Sequence, residues 1–589
     1  MRASDYIINY LADNKINKIY GYIGGAIAYL ADSLYKHPQV EMVNMIHEQG
    51  AAFAAEGFAR TTGITGVAIA TSGPGATNLI TSIGSCFFDS IPALFITGQV
   101  NTYDYKYNNP RRQVGFQETD IVSIIKPITK YAVMISNTEN LRYELEKCLY
   151  LSAHGRKGPV LLDIPMNIQR DDIDFDKSKS FFDSEEFQVL SCKNNISKEI
   201  LADIELIINT SKRPVLLLGG GIRLAFANDE LKVFIEKTKI PIVHSLMGTD
   251  AVAGNYKYNM GLIGAYGNRY GNFTLANADL IIVLGSRLDT RQTGTNLNLF
   301  AREAKIIHVD IDENELNCKN IANIKLKTDI KEFLKEINLI NFKLNLDFWH
   351  KKILEYKDKY PSVQNINGVI KNPNLLIAQI FNCLKSDDVV CVDVGQHQMW
   401  TAQSCCVQTN QRIHFSGGMG SMGFALPCAI GSTIATGKRS IVITGDGGLQ
   451  MNIQELEILK RRNLPVKIIV MNNQNLGMVR QFQEIYFESR LQSTVIDYSV
   501  PDFEKIAKAY GLSAKSIFYY ENINDILKEF LEDPLPGLLN IYTEKFTVVE
   551  PKLIINYPIE DMHPFLDRKE FESRMIIKSA VESKNVQFL

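Results

Sequence analysis

The chain has 589 residues, of which 46% are hydrophobic and 22% charged, as in an ordinary globular protein with large cores. Its 63 basic and 65 acidic residues leave a formal net charge of −2, so bulk electrostatics favours neither nucleic acid nor an anionic membrane as a partner. No apolar run approaches the roughly 20 residues that span a bilayer, and the N-terminal residues lack a signal-peptide pattern. The nine cysteines show no C-x-x-C spacing, which is typical of reduced thiols, so we expect a cytoplasmic protein.

Three long segments alternate short apolar runs with helical patterns, which is typical of an α/β protein built from doubly wound parallel sheets. We predict the three domains at residues 1–175, 190–345 and 373–550, followed by a C-terminal tail at 551–589. The charged stretch 170–186 is predicted to be a linker, because runs of charge remain solvated. The tail contains prolines and mixed charge, which predicts a segment that wraps over the surface.

Residues 440–475 are predicted to form a strand, a loop, a helix and a second strand. The first strand pattern stops at Gly445-Asp446-Gly447, and the second stops just before Asn473. Two parallel strands joined by a crossover helix end at the same edge of the sheet, where ligands of open α/β sheets bind. Asp446 and Asn473 are therefore expected to lie close together.

This pair of strand ends has the residue types of a diphosphate and magnesium site. One carboxylate and one amide oxygen, completed by a backbone carbonyl near Asn475 and by phosphate oxygens, suit octahedral Mg²⁺. A helix starting near Gly448 can present free N–H groups and its positive dipole end to the same phosphates. Gly445 and Gly447 allow the backbone to approach a ligand closely. GDG alone is a common turn, whereas GDG and NN at this spacing, each ending a strand, rarely coincide by accident.

A second candidate is Glu48, which precedes an alanine-rich helix in the first segment. Small side chains allow this helix to approach a neighbour closely, which places Glu48 near a packed surface. Taken alone, a glutamate at a helix start is most often a solvated cap favoured by the helix dipole. The glycine-rich turn at 71–78 is either a cofactor edge or simply a tight turn.

Ten ordered blocks resemble the acetolactate synthase (acetohydroxyacid synthase) large-subunit family of thiamine diphosphate enzymes. They extend over almost the whole chain. The blocks are GYIGGAI (21–27), HEQGAAFAAEGFAR (47–60), SGPGATN (72–78), DSIP and ITGQV (89–100), GFQE (115–118), GRKGPVLLDIP (155–165), GQHQMW (395–400), GGMGSMGFALPCAIG (417–431), GDG with NN, and LGMVRQFQ (476–483).

The resemblance implies pyrimidine-binding, central and diphosphate-binding domains, in a homodimer or homotetramer in which two subunits build each active site. Glu48 of one chain would then contact N1′ of the aminopyrimidine held by the other chain and share a proton with it. The implied reaction removes carbon dioxide from pyruvate and transfers the remaining two-carbon unit to a second carbonyl compound.

The resemblance also implies contacts to the cofactor and to the reacting carbon. Met422 corresponds to the residue that holds the cofactor in its bent conformation, although in isolation such a methionine is more often a core residue. The other corresponding residues lie on the diphosphate side (Gln396, His397), beside the reacting carbon (Met478, Val479) or in the same pocket across the subunit interface (Phe116, Gln117). Phe116, Gln117 and Met478 are thus catalytic candidates with Glu48.

The second segment resembles the central FAD-binding domain of biosynthetic acetolactate synthases, where the flavin is largely structural. Gly219 and Gly220 form a glycine turn after a buried strand, while Arg287 and Asp310 follow two further strands. A lone glycine turn is weak support for a nucleotide, and relatives exist whose central domain has lost the flavin. FAD is nevertheless the expected third cofactor, beside thiamine diphosphate and Mg²⁺.

The chain departs from the family pattern where the acceptor substrate would bind. Ala265 and Tyr266 stand in place of a methionine and a histidine, and Phe482 stands where synthases that prefer 2-ketobutyrate carry tryptophan. Arg291 keeps an arginine that can pair with a substrate carboxylate in two hydrogen bonds. Loss of the indole enlarges the pocket, so Ala265, Arg291 and Phe482 are predicted to line an altered acceptor site.

Several functional hypotheses remain open from the sequence. The acceptor is most simply a second pyruvate, giving 2-acetolactate. The insert at 101–118 and the tail at 558–566 instead resemble surface-polysaccharide-pathway relatives, which transfer the unit to a nucleotide-linked keto sugar. A flavin or nicotinamide oxidoreductase built on the glycine turn would leave Glu48 and the GDG and NN pair unexplained. A catalytically inactive cofactor-binding or assembly protein is disfavoured because Glu48, Asp446 and Asn473 are all present.

Overall fold

The computed structural model describes residues 1–192, 196–363, 372–519 and 523–584, and within them it contains three six-stranded parallel sheets. The strands of each sheet fall inside one predicted domain, and the α/β fold class is confirmed. The domain boundaries stay predictions, and residues 585–589 of the predicted tail lie outside the described residues.

The first sheet has the strand order β2-β1-β3-β4-β6-β5. Its central strands are fully buried on both faces, as expected for parallel strands covered by helices. The strands are β1 Lys18–Gly21, β2 Glu41–Asn44, β3 Gly66–Ala70, β4 Ala93–Gln99, β5 Tyr131–Met134 and β6 Pro159–Pro165. The α-helices are Ala3–Asp13, Ala28–Lys36, Glu48–Thr62, Pro74–Asn78, Ile80–Asp89, Ile121–Ile125, Leu141–Ala153, Met166–Arg170 and Glu185–Leu190, with 3₁₀ turns at Gly25–Ile27, Thr102–Asp104, Lys126–Ile128, Thr138–Asn140 and Phe181–Asp183.

The second sheet has the order β12-β11-β10-β7-β8-β9, which is the strand order of dinucleotide-binding folds. Its strands are β7 Pro214–Leu218, β8 Ile242–His244, β9 Asn259–Leu262, β10 Leu280–Leu284, β11 Lys305–Asp310 and β12 Ile324–Lys327. The α-helices are Lys198–Thr210, Gly221–Leu224, Asn228–Thr238, Arg269–Ala276, Thr290–Thr293, Glu313–Cys318, Ile330–Ile337 and Asp347–Lys359, with 3₁₀ turns at Leu246–Gly248 and Leu297–Leu299.

The third sheet has the order β14-β13-β15-β16-β18-β17, the same connectivity as the first. Its strands are β13 Val389–Val392, β14 Arg412–Phe415, β15 Ser440–Gly445, β16 Val466–Asn472, β17 Ser513–Phe518 and β18 Gly537–Tyr542. The α-helices are Pro373–Asn382, Gln396–Ser404, Ala425–Thr436, Asp446–Met451, Leu456–Arg462, Gly477–Tyr486, Phe503–Ala509 and Asn524–Glu532, with a 3₁₀ turn at Ile453–Glu455.

Two helices join the first and third domains. Glu48–Thr62 and Ala425–Thr436 share one apolar core, and glycines stand at their closest approach. A Cβ on Gly57 would collide with the Cys428 carbonyl, and one on Gly431 would collide with the Ala54 carbonyl. The small side chains of the first helix therefore allow the near-contact that the sequence predicts.

The C-terminal tail packs more deeply than expected for a segment that wraps over the surface. Ile559, Met562 and Phe571 are buried, and the helix Arg568–Arg574 lies against the second domain. The Tyr356 hydroxyl donates a 2.6 Å hydrogen bond to the Arg574 carbonyl. The surface prediction was wrong here, because the spaced apolar residues of the tail cover an apolar face of the central domain. No helix in the described ranges is long and apolar enough to cross a bilayer.

Candidate active site

The carboxyl ends of β15 and β16 bring the predicted metal ligands together. Gly445 pairs with Met471 in the parallel register, so Asp446 and Asn473 leave the same edge of the sheet side by side. Both side chains are buried. The adjacency is the one expected from two parallel strands and a crossover helix, and the roles of the residues stay predictions.

Gln396 completes this edge from β13. It begins the helix Gln396–Ser404, and its Oε1 accepts a 3.1 Å hydrogen bond from Asn473 Nδ2. Its own Nε2 donates to Gln481 Oε1 at 3.1 Å and to the Thr547 carbonyl at 2.9 Å. A Cβ on Gly477 would collide with Gln396 Oε1, so only glycine fits beside this amide. Thr547 carried no signal in the sequence, and Gln481 lies in the block 476–483 without a predicted role, because their contacts form only in the folded chain.

The loop after Asn473 is held by its own amides. Asn475 Nδ2 donates to the Asn473 carbonyl at 2.8 Å and also to the Lys545 carbonyl. Arg480 Nε donates to Asn475 Oδ1 at 3.3 Å, and Gly477 N donates to the Asn475 carbonyl at 2.9 Å. That carbonyl keeps a second lone pair, so it can still serve as a ligand.

Several buried polar atoms at this edge have no hydrogen-bond partner among the described residues. Asp446 Oδ1 accepts a 2.9 Å hydrogen bond from Gly447 N, whereas Asp446 Oδ2 is unpaired by geometry and lies near the Tyr498 hydroxyl, which is also unpaired. Burial raises the pKa of Asp446 to about 6. His397 Nε2 is likewise buried and unpaired, and burial lowers the pKa of this imidazole to about 3, which keeps it neutral. An unpaired carboxylate oxygen fits a cation.

Gly447 lies against Leu476, Met422 and Tyr498 at the same edge. A Cβ there would be 2.8 Å from Leu476 Cδ2, 3.1 Å from Met422 Cε and 3.1 Å from the Tyr498 hydroxyl oxygen. Any side chain at 447 would therefore displace Met422. Tyr498 was not predicted, since it approaches this edge only through the fold of the chain after the helix Gly477–Tyr486.

The helix after Asp446 differs from the sequence expectation. It begins at Asp446 rather than near Gly448, and it is interrupted after Met451, so Gly448 lies inside its first turn. Asn452 Nδ2 donates to Gly423 O at 2.9 Å and to Gln49 Oε1 at 3.1 Å. These contacts outside the helix explain why the apolar periodicity predicts one continuous helix and the structure has two.

Glu48 belongs to a separate cluster in the first domain. It is 8% exposed at the start of the helix Glu48–Thr62, and its Oε2 accepts a 2.9 Å hydrogen bond from Asn78 Nδ2. A Cβ on Gly75 would lie 3.1 Å from Glu48 Oε1, and one on Gly73 would lie 3.1 Å from Gln117 Cβ. Glu48 and Gln117 thus flank the glycine-rich turn at 71–78.

The two clusters are linked through Glu455. Its carboxylate accepts hydrogen bonds from Ile46 N at 3.2 Å and His47 N at 3.1 Å, just before Glu48. Burial raises the pKa of Glu455 to about 7. In the described part of the chain, no hydrogen bond joins Glu48 to Asp446. Glu455 was missed because one glutamate on an amphipathic helix has no distinguishing sequence signal.

Several predicted residues stand at the surface. Phe116 is 86% exposed, and Val479 is also exposed, whereas Met478 is partly buried against the core of the third domain. Further apolar side chains are exposed in the same two segments: Tyr103, Tyr107, Val114, Phe487 and Ile496. Within one chain, Phe116 is therefore not enclosed in a pocket.

A cavity of about 360 Å³ has walls from all three domains. Gly220, Arg287, Arg291 and Asp310 line it, whereas Gly219 lies where a Cβ would collide with the Gly285 carbonyl. Burial raises the pKa of Asp310 to about 6. The volume of the cavity lies in the range of small-molecule pockets. The cavity lies between β7 and β10, which is the topological switch point of the sheet.

The predicted acceptor residues meet through the tail. Ala265 N donates to the Arg291 carbonyl at 2.6 Å, and Leu553 N donates to the Ala265 carbonyl at 2.7 Å. Lys552, the residue before Leu553, lies near the ring of Phe482, which is 41% exposed. The fold therefore gathers Ala265, Arg291 and Phe482 around a tail segment that the sequence had not placed there.

Comparison with family models defines the class of protein. The N-terminal TPP binding domain of thiamine pyrophosphate enzymes matches residues 1–124, the central domain matches 201–337, and the C-terminal TPP binding domain matches 393–541. These are the three domains of a thiamine pyrophosphate (thiamine diphosphate) enzyme, and they do not support the oxidoreductase alternative.

Comparison with curated relatives identifies the family within this class of enzymes. The chain is 36% identical to the acetolactate synthase isozyme 2 large subunit of Escherichia coli (strain K12), over 94% of this chain and 97% of the relative. It is 35% identical to the chloroplastic acetolactate synthase 2 of Nicotiana tabacum, over 92% and 82%. It is 34% identical to the acetolactate synthase large subunit of Lactococcus lactis subsp. lactis (strain IL1403), over 94% of each. The chain therefore belongs to the acetolactate synthase large-subunit family of thiamine diphosphate enzymes.

Proposed function

We propose that this enzyme decarboxylates pyruvate and transfers the two-carbon unit to a carbonyl acceptor, most simply a second pyruvate, giving 2-acetolactate. The observation that carries the proposal is the buried edge formed by Asp446, Asn473 and Gln396, with Asp446 Oδ2 unpaired. The family relationship supports the same reaction, since the named relatives are acetolactate synthases.

The residues at this edge fit Mg²⁺ and a diphosphate. Asp446 Oδ2, the Asn473 amide oxygen and the Asn475 carbonyl would hold the ion, because hard oxygen ligands suit Mg²⁺. His397 would lie on the diphosphate side of this edge, and Gly445, Gly447 and Gly448 leave the backbone open to close approach. The burial that raises the pKa of Asp446 would be offset by the charge of the ion.

Glu48 would supply the proton transfer. Thiamine diphosphate, when bound, supplies the carbon centre that stabilises the charge left after carbon dioxide departs. The Glu48 carboxyl, oriented by Asn78, would exchange a proton with N1′ of the aminopyrimidine. Met422, next to Gly447, would support the ring side of the cofactor.

This arrangement would be completed in a homodimer or homotetramer. Glu48 and the diphosphate edge are separate in one chain, and the exposed apolar side chains around Phe116 and Val479 form a surface that a second copy could bury. Gln117, Phe116, Met478 and Val479 would then enclose the reacting carbon from two subunits.

FAD fits the central cavity. The strand order of the second sheet and the Gly219-Gly220 turn after β7 support a dinucleotide site at this edge, and Asp310 at the end of β11 lines the same cavity. Gly220, Arg287 and Asp310 would contact the flavin nucleotide from the cavity wall.

A nucleotide-linked keto sugar is the alternative acceptor. Phe482 leaves the pocket partly open to solvent, and Arg111 and Arg112 are exposed in the insert at 101–118, where they could meet phosphates. The basic pair alone is also typical of a solvated loop.

The reaction is tested with the purified chain, pyruvate, Mg²⁺ and thiamine diphosphate, following carbon dioxide and acetolactate. Carbon dioxide release with formation of acetolactate is expected, and adding a nucleotide-linked 4-keto sugar then identifies the preferred acceptor. Failure to form a ligation product with any carbonyl acceptor would overturn the proposal.

A further inference from the structure

Lys552 occupies a position fixed by backbone hydrogen bonds on both sides. Its N donates to the His563 carbonyl, and His563 N donates to the Lys552 carbonyl, both at 2.8 Å. The next residue, Leu553, is bound to the Ala265 carbonyl. The tail therefore aims the Lys552 side chain at the predicted acceptor pocket rather than leaving it free in solvent.

The Lys552 ammonium lies between two aromatic rings. Its Nζ is 5.8 Å from the ring centroid of Tyr266 and 5.9 Å from that of Phe482. The residue is only 7% exposed, although a lysine is rarely buried without a partner. Aromatic rings attract a cation, but they replace only part of its hydration.

In the described ranges, no carboxylate forms an ion pair with this ammonium, and no hydrogen-bond acceptor contacts it. Glu550, two residues earlier, instead lies 3.9 Å from His563 Nδ1. Lys467 is a second buried lysine whose ammonium has no hydrogen-bond partner among the described residues, but it has a carboxylate, that of Asp533, at 4.0 Å. Burial lowers the pKa of Lys552, with no acidic neighbour opposing the change.

A second cation belongs to the same pocket. Arg291 and Tyr266 both line the central cavity, and the Arg291 carbonyl accepts a 2.6 Å hydrogen bond from Ala265 N, next to Tyr266. The Arg291 side chain is exposed and forms no ion pair within the described residues. Two positive charges without an acidic partner in the described ranges therefore lie at the predicted acceptor pocket, which is a receptive environment for an anion.

We propose that Lys552 is a specificity-determining residue whose ammonium, between Tyr266 and Phe482, binds an anionic group of the acceptor. This assignment rests on the proposed carboligase function. The shared chemistry is a carboxylate or phosphate oxygen, which comes either from a second 2-keto acid or from a nucleotide-linked keto sugar. The enzyme would accordingly discriminate between acceptors by charge as well as by the size of the pocket.

The test is a product ratio measured in one reaction. The complete protein with thiamine diphosphate, Mg²⁺ and pyruvate is given acetaldehyde as a neutral acceptor, and acetolactate is compared with acetoin. Lys552→Met keeps the length of the side chain and removes its charge. The acetolactate-to-acetoin ratio is expected to fall about 30-fold or more, as when one partner of a buried charge pair is removed. Lys552→Arg should restore most of the ratio.

Controls separate the possible outcomes. Lys569→Met makes the same change at an exposed tail lysine and should leave the ratio at its wild-type value. A parallel reaction with a nucleotide-linked keto sugar distinguishes the sources, because the anionic product that decreases identifies the group bound. An unchanged ratio in Lys552→Met, for both anionic acceptors, overturns the assignment. If the wild-type protein forms neither acetolactate nor acetoin, the proposed carboligase function itself fails.

Discussion

The edge of the third sheet and the edge of the central sheet both combine a glycine turn with an acidic residue after a buried strand. At the third sheet, Asp446, Asn473 and Gln396 are packed together, and the glycines are required by space. At the central sheet, Gly220 and Asp310 face a cavity of about 360 Å³. The tight edge suits an ion and a diphosphate, whereas the open one suits a larger ligand.

The two edges also belong to sheets with different strand orders. The first and third sheets have the same connectivity, and the central sheet has the dinucleotide order. In both arrangements, the ligand edge is the carboxyl end of parallel strands. Both candidate sites therefore lie at the carboxyl ends of parallel strands, and the side chains around each edge determine which ligand fits there.

The largest expected effect is at the tight edge. Asp446→Asn should reduce carbon dioxide release by at least about 100-fold at limiting Mg²⁺, because a carboxylate ligand to the ion is lost. Activity is measured over a titration of Mg²⁺. Asp387→Asn, a change at an exposed residue paired with Lys438, should leave the titration unchanged. If Asp446→Asn and the wild type showed the same Mg²⁺ dependence, the ion would not bind at this edge.

Glu48→Gln should be the next most damaging change. We expect turnover to fall about 100-fold or more, the range for a lost general acid–base group. The Asn78 contact can persist with the amide oxygen, so thiamine diphosphate affinity should change much less than turnover. Both quantities are obtained from activity and from cofactor-dependent fluorescence. A matching loss of affinity would make Glu48 a binding residue rather than a proton carrier.

The open edge is tested with Asp310→Ala. The retained flavin, read from its visible absorbance after gel filtration, should decrease about tenfold relative to wild type, since one polar contact from the cavity wall to the proposed nucleotide would be lost. Asp279→Asn serves as a control at the opposite, amino-terminal end of the same sheet. A wild-type protein that retains no FAD under saturating conditions would leave the central cavity to another ligand.

The smallest effect concerns Glu455, which links the two outer domains. Its folded pKa of about 7 lies above the ordinary value of 4.5, so the folded state binds the proton more tightly. The associated stability is present below about pH 4.5 and is lost as the pH rises toward 7. Between pH 5 and 7.5, the thermal midpoint of Glu455→Gln should fall by about 2–4 °C less than that of the wild type. Identical pH profiles would show that this carboxyl does not titrate in that window.

The sequence predicted those parts of the site that follow from strand order. Asp446 and Asn473 are neighbours because two parallel strands with a crossover helix must end together. The three-sheet architecture was likewise predictable from the alternation of apolar runs and helical patterns.

Contacts between distant segments could not be predicted in this way. Asn452 and Glu455 act across the domain boundary, and Lys552 reaches Phe482 from a tail that lacks regular periodicity. Such contacts depend on how the sheets pack and where the tail returns. Family resemblance supplied Ala265, Arg291 and Phe482, but it did not indicate the lysine between them.

The glycine contact between Glu48–Thr62 and Ala425–Thr436 has a mechanical consequence. With backbone directly against backbone at Gly57 and Gly431, these helices cannot slide past each other without a collision. Sliding of the first domain along the third therefore first requires the two backbones to separate. The exposed segments that carry Phe116 and Phe482 are free of this constraint, so we expect any change of shape during turnover to be larger there.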